Sequence, residues 1–457
     1  MDSRIHKYKQ GNNYILLDVN SGGVHIIDRL IFDVLDFCTA DENGFSVSGE
    51  VYEKLSEYGK DELDECISEL RELYDAKMLF TEDDYRQFAE KSLNVPIKAM
   101  CLNVAHDCNL RCEYCFAATG DFGGCRKLMS PETGRKAIDF LIKKSVGREN
   151  LELDFFGGEP LMAWDTVVQT VDYARSIEKQ HGKNFRFTIT TNGLLLDDEK
   201  IDYINREMSN CVLSLDGRKE VNDRLRYTPN KKGSYDVIVP KYKKLVEGRK
   251  NPGRTDYYLR GTFTKYNLDF TEDVLHIAEN GFRQLSVEPV VTDEHLPYAL
   301  NESDLPRIKD EYDRLFDIAE KGADFNFFHF MIDLNQGPCA LKRLRGCGCG
   351  NEYVAVTPEG DIYPCHQYVG IDDWKMGNLS DGEVDKNIKD YFAATHIYTK
   401  KGCADCWVRF YCSGGCNANG FLYEGDSRKP HKISCELQKK RIECGIALAA
   451  VKKAREE

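Results

Sequence analysis

Cys101-Leu102-Asn103-Val104-Ala105-His106-Asp107-Cys108-Asn109-Leu110-Arg111-Cys112-Glu113-Tyr114-Cys115-Phe116 is the stretch on which the reading of the chain turns. An apolar, strand-like run from Lys98 ends in a loop that carries three cysteines spaced CxxxCxxC. Thiolate is the soft ligand that iron–sulfur chemistry selects, and three thiolates this close together can wrap one face of a cubane cluster. A structural zinc site or an electron-transfer cluster normally takes four protein ligands, whereas three leave one metal corner free for a substrate or cofactor. The residues alone leave three readings open: a three-ligand iron–sulfur cluster, zinc with a distant fourth ligand, or unligated thiols.

From Lys98 to about Pro289, strand and helix patterns alternate with the regularity of βα units in a parallel sheet. Strands are expected over 98–104, 151–156, 185–190, 210–215, 257–263 and 284–289, with helices near 131–145, 163–180, 197–208, 234–248 and 271–280. Six units predict a partial barrel rather than a closed eight-fold one. Reactive groups in such sheets gather at the carboxyl ends of the strands, and three motifs fall there. Gly157-Gly158-Glu159-Pro160 follows the second strand, where the glycines allow close approach of backbone to a ligand and Glu159 is able to accept from an ammonium. Thr190-Thr191-Asn192-Gly193 ends the third strand and Ser214-Leu215-Asp216-Gly217 the fourth; taken singly, each is a turn signal. Glu288, at the end of the sixth strand, is the candidate substrate contact, with a capping or salt-bridged acid as its alternative.

The remaining composition restricts the classes of function. The 457 residues carry a net charge of −14, which disfavours a nucleic-acid partner. No secretory signal follows Met1, and no apolar run nears the ~18 residues of a membrane span, so a cytoplasmic protein without a membrane partner is expected. Eighteen cysteines are too dilute for a disulfide scaffold and unusual for an ordinary cytosolic enzyme. They crowd from Cys339 onward, which predicts four segments: a small strand-then-helix domain over 1–92, the barrel over 93–291, a charged helical bridge over 292–338 and a cysteine-dense domain over 339–457. In the front segment a hairpin is expected around Asn20–Gly23, followed by apolar stripes at Ile31, Val34, Leu35, Cys38 and at Leu63, Ile67, Leu70, Leu73. Cys38, Cys66, Cys101, Cys125, Cys211 and Cys444 read as core or inert thiols.

In the last segment, Cys347 and Cys365 flank Gly360 as Cx12GxxxxC, Cys403, Cys406, Cys412 and Cys416 follow as CxxCxxxxxCxxxC, and Cys435 closes the set. A pair of zinc ribbons is the simple alternative for such knuckles. His366 reads as a neighbour of a metal rather than a ligand.

The CxxxCxΦC loop, with Tyr114 as Φ, resembles that of the radical S-adenosylmethionine enzymes, and the last segment resembles the SPASM domain of their peptide-maturing members. The resemblance implies that Cys108, Cys112 and Cys115 hold a [4Fe–4S] cluster whose open iron takes S-adenosylmethionine. By the same resemblance Tyr114 lies against the adenine, and Gly157, Gly158 and Glu159 hold the methionyl amino group. It also implies that Ser214 and Asn192 serve the ribose and its loop, and that Arg226 serves the carboxylate. Two auxiliary [4Fe–4S] clusters, three in all, are implied: a distal one on Cys403, Cys406, Cys412 and Cys435, and a proximal one on Cys347, Cys365 and Cys416. Cys339 and Cys349 are the candidates for the proximal fourth ligand; without either, an iron is open to a substrate thiolate. Tyr363-Pro364-Cys365-His366-Gln367 and Tyr411-Cys412-Ser413-Gly414-Gly415-Cys416 resemble maturases of six-cysteine (SCIFF-type) precursor peptides. Their fold is an α/β partial (β/α)6 TIM-like barrel with an N-terminal winged-helix-like leader-recognition domain and a C-terminal SPASM domain. The implied activity is hydrogen abstraction by a 5′-deoxyadenosyl radical and closure of intrapeptide Cys thioethers in a ribosomally made precursor with a leader, with ferredoxin or flavodoxin as electron donor. The rivals are an anaerobic sulfatase-type maturase forming formylglycine and a non-catalytic iron–sulfur or zinc scaffold that binds peptides.

Overall fold

The structure is a computed structural model that describes residues 2–91, 95–251, 253, 255–335 and 340–456; Cys339 lies outside the described residues. The chain opens with an antiparallel sheet of β1 (Ile5–Gln10), β2 (Asn13–Asp18) and β3 (Val24–Ile27), with Ile5 opposite Asp18 and Tyr14 opposite Ile27. The expected hairpin is β2–β3, and Gly22 takes the positive φ its turn requires. A two-stranded ribbon, β4 (Cys38–Asp41) and β5 (Gly44–Val47), and the helices Arg29–Val34 and Lys60–Asp75 complete this region. Cys38 therefore lies on a strand rather than on the helical stripe expected for it.

The side-chain alternation of a strand divides the front sheet between two cores. Leu16 faces a small core with Val34, Leu35, Leu63 and Leu70, whereas Ile15, Leu17 and Val19 enter the main core of the molecule. His6 stacks on Trp407 at 3.7 Å, and the guanidinium of Arg409 donates to the Asn20 side chain. The front sheet is thus fused to the cysteine-rich region.

The barrel strands are β6 (Ala99–His106), β8 (Asn150–Gly157), β9 (Asn184–Thr191), β10 (Asn210–Ser214), β11 (Asp256–Phe263) and β12 (Gln284–Pro289); the short β7 (Lys127–Leu128) pairs antiparallel with β6. Each pairs parallel with the next, as consecutive βα units do, and the five expected helices lie between them at Pro131–Lys144, Trp164–Ile177, Asp198–Glu207, Tyr235–Glu247 and Phe270–Glu279. Leu151, Leu153 and Phe155 on β8, and Phe185, Phe187 and Ile189 on β9, are buried against these helices. The alternate residues, among them Phe156, Thr190, Ser214, Arg260, Thr262 and Glu288, line the inner side.

The sheet runs on past both ends of the expected barrel. β13 (Asn326–Phe327) pairs parallel with β12, so the segment after residue 292 extends the sheet edge as well as supplying the helix Leu305–Glu320. At the other edge, β14 (Tyr353–Val356) pairs parallel with β6 and is followed by β15 (Asp361–Tyr363) and β16 (Gly377–Asn378). The chain ends in the helix Lys432–Glu456, packed on Leu305–Glu320, where Arg441 Nε donates to the Tyr312 hydroxyl at 2.8 Å. Of the thiols read as inert, Cys38, Cys66, Cys101, Cys211 and Cys444 are buried; Cys125 is exposed. Among the described residues no helix is long and apolar enough to cross a membrane.

Candidate functional site

A cavity of about 500 Å³ opens at the carboxyl ends of the barrel strands, with the C-terminal helix as its far wall. Cys108, Cys112 and Cys115 line it, and so do Tyr114, Gly157, Gly158, Glu159, Asn192, Ser214, Arg226 and Glu288. Residues separated by up to 180 positions in sequence are brought together because they end or follow strands of one parallel sheet, except Arg226, which follows the helix Lys219–Leu225.

Two glycines fix the cysteine loop against the β8 loop. Gly158 donates its N–H to the Ala105 carbonyl at 2.7 Å, and a Cβ on Gly158 would stand 2.1 Å from the Asp107 carbonyl oxygen. Gly120, with φ +105°, lies so close that its Cβ would fall 2.7 Å from the Cys108 Cβ. Glu159 is buried at 1% exposure, and its carboxylate accepts the Asn192 N–H at 2.7 Å, the Thr191 hydroxyl at 2.7 Å and the Leu161 N–H at 3.1 Å. The carboxylate expected to receive an ammonium is therefore already holding the β8 and β9 loops together, and burial pushes its pKa up to about 7. The Asn192 amide donates to Asn109 at 2.8 Å, which ties the β9 loop to the cysteine loop.

Tyr114 and Arg226 have protein partners of their own. The Tyr114 hydroxyl donates to Asp216 at 2.7 Å, and Arg226 Nη1 donates to that hydroxyl at 2.9 Å. Asp216, a turn residue on the sequence reading, is 1% exposed and also accepts the Thr262 N–H at 3.0 Å. Arg226 retains one buried nitrogen, Nε, with no partner among the described residues, beside a cavity able to take an anion.

The thiols fall into three groups. Burial pushes Cys108 up to about 12 and Cys112 to about 11, so without a cation neither would ionise near neutrality; a soft metal would supply that cation. Cys403, Cys406, Cys412 and Cys435 line a second cavity of about 470 Å³, where burial pushes Cys403 to about 11 and Cys435 to about 12. The three thiols of one loop and the four on the second cavity are donor sets that suit iron–sulfur clusters, and Cys412, Cys416 and Cys435 also reach the first cavity. The third group joins Cys347, Cys365 and Cys416, each raising or feeling the charge of another, with Cys349, which is 4% exposed and stands beside Cys365. The pairing of Gly350 N–H with the Pro364 carbonyl at 3.0 Å brings residue 349 beside 365. Lys400, buried at 4% exposure, lies within the field of Cys403, Cys412, Cys416 and Cys347, and its ammonium donates to the Gly414 carbonyl at 2.8 Å.

Glu288 does face the cavity, and it is salt-bridged: Oε1 lies 3.1 Å from His329 Nε2 and Oε2 lies 3.2 Å from Arg441 Nη1, and these charges hold its pKa well below the usual carboxylate range against the pull of burial. Arg260, Arg441 and Lys400 were not legible as site residues. Each stands alone on its strand, helix or loop without a motif around it, and only the tertiary fold brings it to a site.

Residues 102–259 match the Radical SAM superfamily, and residues 347–407 match SPASM, an iron–sulfur cluster-binding domain. The radical SAM cyclopropyl synthase TigE of Paramaledivibacter caminithermalis is 23% identical over 94% of this chain and 92% of its own. A cysteine-type anaerobic sulfatase-maturating enzyme of Clostridium novyi is 25% identical over 72% of this chain and 89% of its own. Among solved structures, native anSMEcpe with bound AdoMet and the Cp18Cys peptide shares the fold with a TM-score of 0.65 at 18% identity, covering 79% of this chain and all of that one. Streptococcus suis SuiB bound to S-adenosylmethionine does so with a TM-score of 0.54 at 16% identity, covering 94% and 98%.

Proposed function

Because this chain carries a radical S-adenosylmethionine domain followed by a SPASM iron–sulfur domain, we propose that it is a peptide maturase that closes thioether bonds between cysteine sulfurs and carbon atoms of the same precursor peptide. The single observation that carries the reading beyond the two domains is the front sheet. It is built into the main core, and its edge strand β3, with Ile26 exposed, has no further strand paired to it among the described residues, so that an extended leader could add there as a strand.

Cys108, Cys112 and Cys115 would hold the cluster that, once reduced by a ferredoxin or flavodoxin, cleaves S-adenosylmethionine to the hydrogen-abstracting 5′-deoxyadenosyl radical. Tyr114, Ser214, Asn192 and Arg226, which line the same cavity, would contact the cofactor, and the Gly157–Glu159 loop packs against the cysteine loop. Closing one thioether removes one hydrogen from carbon and one from sulfur: the radical takes the first as an atom, and the second leaves as a proton and an electron. Cys403, Cys406, Cys412 and Cys435 would hold a distal cluster and Cys347, Cys365, Cys416 and Cys349 a proximal one, giving the departing electron a place to go. With Cys349 as fourth ligand, no proximal iron is left for the substrate thiolate.

The test is anaerobic incubation of reduced protein with S-adenosylmethionine and a leader-bearing cysteine peptide. Release of 5′-deoxyadenosine, abolished when Cys108, Cys112 and Cys115 become Ala, together with a peptide lighter by two hydrogens per crosslink and all sulfur retained, is the expected result. A product that has lost its sulfur and gained an aldehyde would instead make the chain a sulfatase-type maturase, the reading favoured by its likeness to the Clostridium novyi enzyme.

A further inference from the structure

Two arginines on the far side of the cavity, away from the cysteine loop, have capacity that the protein does not use. Arg441 reaches in from the C-terminal helix; it is 5% exposed, its Nε and Nη1 are taken by Tyr312 and Glu288, and its Nη2 is buried without a partner among the described residues. A buried guanidinium nitrogen left without an acceptor is costly, and native proteins rarely leave one without reason. Arg260 rises from the middle of β11 into the same cavity, exposed, with no side-chain partner among the described residues. Its charge is felt at Glu288, His329 and His366, whereas Arg226 acts on Cys112, Tyr114 and Asp216. The cations of the cavity therefore divide into one beside the cluster loop and two around Glu288.

The charges around Glu288 do not balance. Among the described residues Glu288 is the carboxylate that lines this wall, so Arg260 and Arg441 face a single carboxylate whatever the charge on His329. One positive charge is left over, on a wall with a free N–H donor. Arginine is the side chain suited to bidentate recognition of a carboxylate, and planar donors in a part-buried site discriminate a carboxylate from its amide.

We infer that Arg260 and Arg441 form a subsite for the carboxylate of an aspartate or glutamate in the substrate peptide, placed across the cavity from the cysteine loop. The inference rests on the reading that a peptide occupies this cavity, and it holds whether the peptide leaves as a thioether or as an aldehyde. The acid would fix the register of the peptide, so that its distance along the chain selects which residue is presented to the radical.

The test uses the cluster-loaded full chain with S-adenosylmethionine bound and two matched sets of labelled peptides. Each peptide carries one cysteine and, at varied separation, one aspartate or one asparagine. Binding is read by fluorescence anisotropy. At the correct separation the aspartate peptide is expected to bind at least about tenfold more tightly than its asparagine twin, as a charge-assisted hydrogen bond lost at a partly buried site implies. Arg260→Gln should erase most of that preference, and Arg260→Glu should transfer it to a lysine peptide; Arg260 is exposed, so neither change threatens folding. Equal binding of both sets at every separation would overturn this inference alone. Binding of neither set would overturn the peptide reading together with it. Arg260→Gln that weakens S-adenosylmethionine binding without peptide and leaves the aspartate preference intact would assign Arg260 to the cofactor and overturn the subsite.

Discussion

The Tyr114 hydroxyl donates to Asp216 at 2.7 Å while receiving Arg226 at 2.9 Å, so the aromatic residue of the cysteine loop is anchored through its oxygen and presents its ring. Tyr114→Phe removes the oxygen and leaves both buried charges short of a partner, a loss of about 1–3 kcal/mol. The thermal midpoint should fall while affinity for S-adenosylmethionine changes only a few-fold. Tyr114→Ala should lose both. A Phe variant as stable as the parent would show that the hydroxyl network does not hold the loop.

The packing of Gly158 against Asp107 and of Gly120 against Cys108 leaves no room for a methyl group. Gly158→Ala and Gly120→Ala should each displace the cysteine loop and remove the iron of one cluster, measured as iron per chain after anaerobic reconstitution. Gly124→Ala is the control: its Cβ would lie 3.5 Å from its nearest neighbour, and φ is not positive there. Full iron in Gly158→Ala would mean that the β8 loop yields more readily than its backbone contacts imply.

Much of this geometry was legible in the sequence, for a physical reason. The six strands and five helices of the barrel repeat their apolar residues with a regular period, and the motifs fall at strand ends, where the parallel sheet must place them. β1 escapes a sequence reading because Ile5–Gln10 has only two apolar residues, Ile5 and Tyr8, at a spacing that fits no strand period, and it is a strand only by pairing with β2. The 292–338 segment looked like a connector because β13 is two residues long, too short to carry a periodic signal. The roles of Tyr114, Arg226 and Glu159 were only partly visible, since a motif gives the residue that matters but not the hydrogen bond it already makes.

Cys349 has a spectroscopic consequence that separates it from an inert thiol. On the proposed reading, a chain lacking Cys108, Cys112 and Cys115 would owe its reduced EPR spectrum to the auxiliary clusters alone. With Cys349 as a ligand, that spectrum should not respond to an added small thiol. Cys349→Ala should alter it and make it thiol-sensitive, and Cys339→Ala should not. A parent spectrum that already responds to the thiol would return an open iron to the proximal cluster.

Lys400 places a buried ammonium between the two auxiliary thiol groups. A nearby positive charge favours the reduced, more negative state of a cluster. Lys400→Met, similar in length and uncharged, should therefore lower the midpoint potential of both auxiliary clusters in a redox titration. Unchanged potentials in a folded, fully loaded variant would remove this lysine from the electron path.

The front region should not behave as a detachable module. A chain beginning at Val95 would lose Ile15, Leu17 and Val19 from the main core and uncover Trp407, which His6 covers. Each such buried aliphatic side chain contributes about 1.5–3 kcal/mol. The truncated chain should be recovered mainly as aggregate or melt far below the parent in scanning calorimetry. Recovery of a soluble truncation with the parental melting temperature would show that the shared core is dispensable.

His396 gives the fold a pH dependence with a definite sign. It is 7% exposed, its Nδ1 accepts the Tyr398 N–H at 3.3 Å, and burial together with Arg345, Arg428 and Arg86 brings its pKa down to about 4. An unfolded chain takes up a proton on this residue below about pH 6.5, which the folded chain refuses until about 4. Because the unfolded state then binds more protons, the stability from neutral His396 is fully present above about 6.5 and is lost as pH falls toward 4. His396→Gln keeps an acceptor and cannot charge. The melting temperatures of the two proteins should therefore run parallel above about pH 7, and the parent should fall away from the variant as the pH drops from 7 toward 5.5. Curves that stay parallel throughout would mean that the imidazole is protonated in the folded protein despite its burial among three guanidinium groups.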